Sequence, residues 1–324
     1  MHHKLEFWII TSTEDRASMN IRTYLLNNYP FYRVEDEKER WMSWESNPTY
    51  LLKNDGSIGN IRLVVTNKPM ILLGEKIPKK DISDFIGADF AIFASRHKAQ
   101  SELPALLCHS TGNWSSDISF GGEPRSLCRT SARLVKLAFQ NLEKHRDVNI
   151  PEWPVDLEVN HHGPTQFEFP LIFMELGSSE EFWDHTRGGK VVADAIMDTA
   201  QSFLHEIPVI MSDLPKDFSR EVLYLHIREN EKKSQNVYAI GYGGVHYART
   251  FSKLLDRVAI SFIIPKYFVP ELAEDLIWQM IDHTLEPVNY ALIDWNSMNS
   301  ATRVELSALL GKMSIPWKKT KEIK

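Results

Sequence analysis

Four apolar runs decide the fold: DFAIFAS (89–95), LPALLCH (103–109), VDLEVNH (155–161) and FPLIFMEL (169–176). Each is shorter than an ordinary helix, and three of the four are too continuously apolar for a strand with one wet face. Runs of this kind fit strands covered on both sides, in a parallel or mixed sheet. The chain around them keeps alternating. LEFWII (5–10) reads as a buried strand, followed by a helix that carries Met19, Ile21, Leu25 and Leu26 at helical spacing. NVYAIGYG (236–243), RVAISFIIP (257–265) and NYALID (289–294) are late strands, with helices predicted over 125–145, 179–205, 246–257, 269–285 and 298–312. We therefore expect an α/β protein, a three-layer α/β/α domain with a mixed sheet spanning 1–324. Two stretches depart from the pattern and read as inserts. One is 31–60, with Tyr32, Trp41, Trp44 and a hairpin turn at Asn54-Asp55-Gly56; the other is the polar 213–235. The tail KKTKEIK (318–324) reads as frayed and solvated.

Composition narrows the function. The 324 residues are 43% hydrophobic and 25% charged, with a net charge of -6, which excludes a disordered or coiled-coil chain. Mild acidity argues against coating nucleic acid by bulk charge, so a nucleic-acid partner is touched locally. Two cysteines, Cys108 and Cys128, are too few for a disulfide framework or a cysteine zinc finger. The expected setting is a reducing cytoplasm, and any metal must use His and carboxylates. No apolar run approaches the roughly 18 residues of a membrane helix, so no membrane partner is expected. There is no G-x-S-x-G elbow, which disfavours a serine hydrolase.

Histidine placement carries the most information. His97, His109, His161, His162 and His246 all stand where a predicted strand gives way to a loop or helix. Ligands of open α/β sheets bind beyond strand ends, so these imidazoles can converge on one metal or acid/base site. The alternative is five separately satisfied histidines. In His161-His162-Gly163-Pro164 both rings can serve one site only if the backbone leaves the strand there, as Gly-Pro allows. Glu175, at a strand end, is a further candidate; Ser178 and Glu181 have capping-box spacing at the start of the next helix. The loop Gly241-Tyr242-Gly243-Gly244-Val245-His246 lets backbone approach a ligand closely, so Ser178, Gly241, Gly243 and Gly244 are candidate substrate-binding residues. On the helix predicted at 125–145, Arg125, Arg129, Arg133 and Lys136 fall opposite the apolar face, a stripe suited to a phosphate backbone or to plain solvation.

Read in order, DRASMN (15–20), FASRHKAQSELPALLCHSTGNW (93–114), EVNHHGP (158–164), FMELGSSEEFW (173–183) and GYGGVHYA (241–248) resemble the archaeal-and-plant type of D-aminoacyl-tRNA deacylase. The resemblance covers most of the chain. It implies a phosphorylase/hydrolase-like fold and a zinc-dependent hydrolase that frees D-amino acids from mischarged tRNA in translation quality control. Its partner is then D-aminoacyl-tRNA, not DNA, and a monomer is favoured. The matching positions are His97, His109, His161, His162, Glu175, Gly243, Gly244 and His246. From these follows an expected zinc site of His97, His109, His161, His246 and Glu175. His162, Glu175 and His246 are then the catalytic candidates, with His162 as general base or oxyanion partner and backbone donors of the glycine loop on the carbonyl oxygen. Arg125, Arg129, Arg133 and Lys136 become candidate tRNA contacts. The rival expectations are a zinc amidohydrolase or peptidase and a non-catalytic tRNA-binding module.

Overall fold

A computed structural model describes residues 4–35, 47–53, 59–74, 87–207, 213–215 and 218–324. The first half begins with β1 (Leu5–Ser12), α1 (Arg16–Asn28), β2 (Phe31–Arg33), β3 (Tyr50–Leu52) and β4 (Gly59–Thr66). It continues through β5 (Phe90–Arg96), β6 (Leu106–His109), β7 (Gly112–Asn113), β8 (Ser126–Leu127), α2 (Ala132–Asn149), β9 (Val155–Leu157) and β10 (Leu171–Leu176). Next come α3 (Glu180–Trp183), α4 (Thr186–Glu206), α5 (Arg220–Glu231), β11 (Tyr238–Tyr242) and α6 (Arg249–Ser252). The chain ends with β12 (Ala259–Ile264), α7 (Glu274–Asp282), β13 (Tyr290–Ile293), α8 (Ser300–Lys312) and β14 (Trp317–Lys319).

Among the described residues, eight strands form a mixed sheet in the order β2-β3-β4-β1-β5-β10-β6-β9. Its centre, β4-β1-β5-β10, is parallel, whereas β6 runs antiparallel to β10. β5 is buried along its first six residues and β10 along all six, as expected for strands covered on both faces. One face packs on α1, α2 and α4. The other, with Trp8, Ile10, Phe93 and Phe173, shares a second apolar cluster with β11–β13, α7 and α8. Helix starts are set locally: Asp15 accepts the Ser18 N–H at 2.9 Å to begin α1, and Asn299 accepts that of Thr302 at 2.9 Å to begin α8.

The α/β class and the mixed sheet are as expected, with several differences. The late strands do not extend the first sheet; they build a four-stranded parallel sheet, β12-β11-β13-β14. The tail is not frayed, because Trp317–Lys319 pair with Ala291–Ile293 as an edge strand. The helix expected at 125–145 begins only at Ala132, where Ser131 caps it. That at 179–205 is two helices, α3 and α4, and that at 246–257 shrinks to Arg249–Ser252. In the polar stretch 213–235, α5 buries Leu223 and Ile227 in the larger core. Trp41, Trp44 and Asn54-Asp55-Gly56 lie outside the described residues.

Candidate functional site

Strand ends bring the site together. β5 leads directly into His97, β6 ends at His109, and Glu175 is the penultimate residue of β10. Beyond β9 the chain leaves the large sheet to pair with the small one. Glu158 forms a bridge with Tyr247, Val159 N–H donates to His246 O at 3.0 Å, and Asn160 N–H donates to Ile263 O at 3.0 Å. This departure carries Glu158, His161 and His162 toward His246, in the loop after β11. His162 completes the turn in the left-handed region, at φ 51°, before a cis Gly163-Pro164 bond. Adjacent His161 and His162 thereby face one space, with ring centroids 4.5 Å apart at 70°.

Glu158 occupies the centre of this cluster. Its Oε1 lies 2.7 Å from His246 Nε2 and 3.3 Å from His97 Nδ1; its Oε2 lies 3.5 Å from His109 Nε2 and 4.0 Å from His161 Nε2. Glu175 faces His97 Nδ1 at 3.3 Å, His109 Nε2 at 3.7 Å and His162 Nε2 at 4.0 Å. Tyr247 meets His97 Nε2 at 3.1 Å. Both carboxylates are buried, and burial alone would raise their pKa. For Glu175, the facing imidazoles of His109 and His97 outweigh burial and hold the carboxyl well below its usual range. For Glu158, contact with His246 and the nearness of His161 and His97 lower the pKa despite burial. Burial pushes the imidazoles down. In His97 and His109, Glu175 and Glu158 reverse the sign and raise the pKa. Burial and the neighbouring imidazoles instead lower His161 to about 4 and His162 well below 6.5, leaving both neutral at pH 7.

The donor set fits a divalent cation. His109, His161 and His162 each donate Nδ1–H to a backbone carbonyl, of Ser110 at 3.0 Å, Val159 at 2.9 Å and Gly163 at 2.6 Å. That tautomer leaves Nε2 as the ligand atom, held by the backbone-to-imidazole bond typical of metal-binding histidines. His109 Nε2 and Glu158 Oε2 are buried with no hydrogen-bond partner, the condition a bound ion would relieve. Ligand atoms lie within 4.8 Å of one another in three sets: His109, His161 and His162; His97, Glu158 and His246; His109, Glu158 and Glu175. Imidazole nitrogen with carboxylate oxygen suits zinc. The cluster opens into a cavity of about 430 Å³, whose lining also includes Asp15, Arg96, Lys98, Met70, Ile71 and Phe120.

Other expected site residues are placed differently. The glycine loop does not offer its amides: Gly243 N–H donates to Ile264 O and Gly244 N–H to Ser297 Oγ, both at 2.9 Å. Gly243, at φ 108°, is required because a Cβ would meet Ser297 Oγ at 2.5 Å. Gly241 is a packing position in β11, where a Cβ would press on Phe251 at 3.0 Å. Ser178 makes no capping box; Ser179 is the cap residue of α3, and Ser178 Oγ donates to Gly177 O at 2.7 Å. The basic stripe is not one face of one helix. Arg125 and Arg129 precede α2, and Arg125 pairs with Asp275 at 2.8 Å. Arg133 is held by Glu231, by Glu206 O at 2.8 Å and by Tyr238 Oη at 3.3 Å, while Lys136 donates to Asp256 O at 3.1 Å. None of the four lines the histidine cavity. Sequence reading missed Glu158, although a charged residue inside an apolar strand run was the available signal. It also missed Asp15, Tyr247 and Phe120.

An α/β protein with imidazoles and paired carboxylates gathered at its strand ends belongs among enzymes that work at such a cluster. Sequence comparison narrows the class. The D-aminoacyl-tRNA deacylase family profile matches residues 85–318, and the chain belongs to this family. It is 31% identical over 309 residues to the D-aminoacyl-tRNA deacylase of Thermococcus kodakarensis, covering 95% of this chain and 97% of that one. It is 30% identical to that of Methanosarcina barkeri, covering 98% and 90%. A crystal structure of a conserved protein of unknown function shares the fold over the whole chain, with a TM-score of 0.75 at 23% identity. No helix among the described residues is long and apolar enough to cross a membrane.

Proposed function

We propose that this protein hydrolyses the ester joining a D-amino acid to the 3'-terminal adenosine of tRNA, with zinc held by the histidine and glutamate cluster. The observation that carries the reading is the convergence of His97, His109, His161, His162, His246, Glu158 and Glu175 in one cluster, five of them lining a cavity, in a chain of this family. Donors for the metal come from His97, His109, His161, His246, Glu175 and Glu158. When bound, zinc supplies Lewis acidity that acidifies water and polarises a carbonyl oxygen.

The chain's own groups do the rest. His162, neutral and fixed through its Nδ1–H on Gly163 O, presents Nε2 to take a proton from attacking water. Water oxygen bonds to the carbonyl carbon, the carbon–oxygen bond to the ribose breaks, and the proton passes to the ribose oxygen. The products are free D-amino acid and tRNA. Glu175, 4.0 Å from His162 Nε2, favours the imidazolium that forms on the way. L-esters are excluded by clash with the cavity wall. Exposed Arg96 and Lys98, which line the cavity, are better placed for the terminal phosphates than Arg125, Arg129, Arg133 and Lys136. Arg125, Arg129 and Lys136 serve as outer tRNA contacts, Arg125 and Lys136 once their present partners are released, whereas Arg133, held by Glu231 and Glu206, stays with the fold. Cytoplasmic work as a monomer goes with this reading.

The test is release of D-tyrosine against L-tyrosine from matched aminoacyl-tRNAs, with and without a chelator. D-selective release lost on chelation supports the whole proposal. D-selective release that survives chelation keeps the deacylase and rejects the zinc. Release from neither ester rejects the deacylase.

A further inference from the structure

Phe120 is 65% exposed, yet it stands on a loop tied down by hydrogen bonds and lines the histidine cavity. The loop is tied to the turn that carries His161 and His162. Gly163 N–H donates to Phe120 O at 3.0 Å, and Glu123 N–H donates to Thr165 Oγ1 at 2.8 Å. From beneath, buried Asn113 donates through Nδ2 to Gly121 O at 2.7 Å and to Glu123 O at 3.1 Å. Two left-handed glycines follow Phe120. A Cβ on Gly121 would sit 1.9 Å from Ile71 O, and one on Gly122 would sit 3.1 Å from the Gly163 Cα. The backbone is thus held at van der Waals contact on two sides while the ring points away from any core. Among the described residues the ring has no aromatic or cationic partner. It contributes little to folding, and an exposed phenyl group on a rigid support beside a reactive cluster is a surface for a ligand.

Position selects the ligand. A cavity of about 430 Å³ has room for an aminoacyl group but not for tRNA, so the nucleotide side of the ester must leave through the mouth. Whatever lies at the mouth meets the last nucleotide. We infer that the Phe120 ring is the stacking platform for the terminal adenine, holding the ribose ester over the histidine cluster. This rests on the deacylase reading and adds to it the residue that grips the RNA end. Arg96 and Lys98 flank the same cavity and complement the adjoining phosphates.

The experiment uses the full-length protein and the amide-linked, non-hydrolysable 3'-(D-tyrosylamino)-3'-deoxyadenosine as probe, alongside turnover of D-tyrosyl-tRNA. Phe120→Ala is expected to weaken probe binding and raise KM by about 5- to 150-fold, the range that corresponds to ~1–3 kcal/mol per stacked base, with kcat within about twofold. Phe120→Trp should restore binding, whereas Phe120→Leu should not. Circular dichroism and thermal melting of each variant establish that it is folded. Repeating the measurement with the D-alanyl analogue separates base from side chain, and an undiminished loss is expected. A loss that vanishes with D-alanine overturns the inference in favour of contact with the amino-acid side chain. Wild-type turnover with an unchanged KM in Phe120→Ala overturns it outright and leaves the deacylase standing. A wild-type protein that releases no D-tyrosine overturns both.

Discussion

Glu158 gathers more of the site's charge than any other residue, because its two oxygens face His97 and His246 on one side and His109 and His161 on the other. With Glu175 it places two negative charges in a buried space, where charge must be balanced. His97 and His109, whose pKa the two carboxylates raise, offset part of it, and a divalent cation at the same place would offset more. Glu158→Gln keeps the shape and removes one charge. Deacylation should fall by about 10- to 100-fold or more, the scale seen when a ligand or its partner is changed, and zinc affinity should fall with it. Single-turnover deacylation and competition with a fluorescent zinc chelator check both; an unchanged zinc affinity would remove Glu158 from the site. Glu158 was hidden in the sequence because a lone glutamate in VDLEVNH has the same local signature as one on the wet face of an edge strand. The five histidines were legible because they repeat the same strand-end context.

Helix α2 illustrates how an element reassigns residues. Its amino terminus is closed by Ser131, which accepts the Leu134 N–H at 3.0 Å, and by buried Glu286, which accepts those of Ala132 at 2.9 Å and Arg133 at 3.2 Å. The Arg133 guanidinium turns into the interior to meet Glu231. Arg133→Ala should therefore lower stability by about 3 kcal/mol, as when one partner of a buried pair is removed, and activity per folded molecule should hold. Urea unfolding with an activity assay on the folded fraction decides this. A tRNA-binding defect at Arg133 needs that correction before it is read as lost contact. At the far end of α7, His283 donates Nδ1–H to Leu127 O at 2.8 Å, and burial, with the charge of Arg129, lowers its pKa. The folded protein then refuses a proton that the unfolded chain accepts below about 6.5, so stability falls as the pH drops from 7 to 5, at up to ~1.4 kcal/mol per pH unit. His283→Gln should flatten that slope by this amount, measured by urea denaturation at several pH values.

Across the whole molecule, the site ties the two sheets together. His97, His109 and Glu175 stand on the large sheet, and His246 follows β11 of the small one, with Glu158 bridged to Tyr247 between them. A cation held by both sides would link the sheets, and its removal would loosen their junction. A chelator is expected to lower the unfolding temperature, because it removes a stabilisation that grows with free zinc and reaches about 2.7 kcal/mol at a hundredfold excess over Kd. Calorimetry with and without chelator tests this, and identical melting in both would mean that no resident metal joins the sheets. The alternation of strands and helices, the doubly covered strands and the histidines at strand ends were determined by sequence alone, since burial and periodicity are written in neighbouring residues. Tertiary structure alone decided that the late strands form a sheet of their own, that Glu158 is central, that the glycine amides are committed and that the basic residues do not make a stripe. Those outcomes depend on strand order, strand direction and helix start points, which arise from contacts between residues a hundred positions apart and leave no mark in local periodicity.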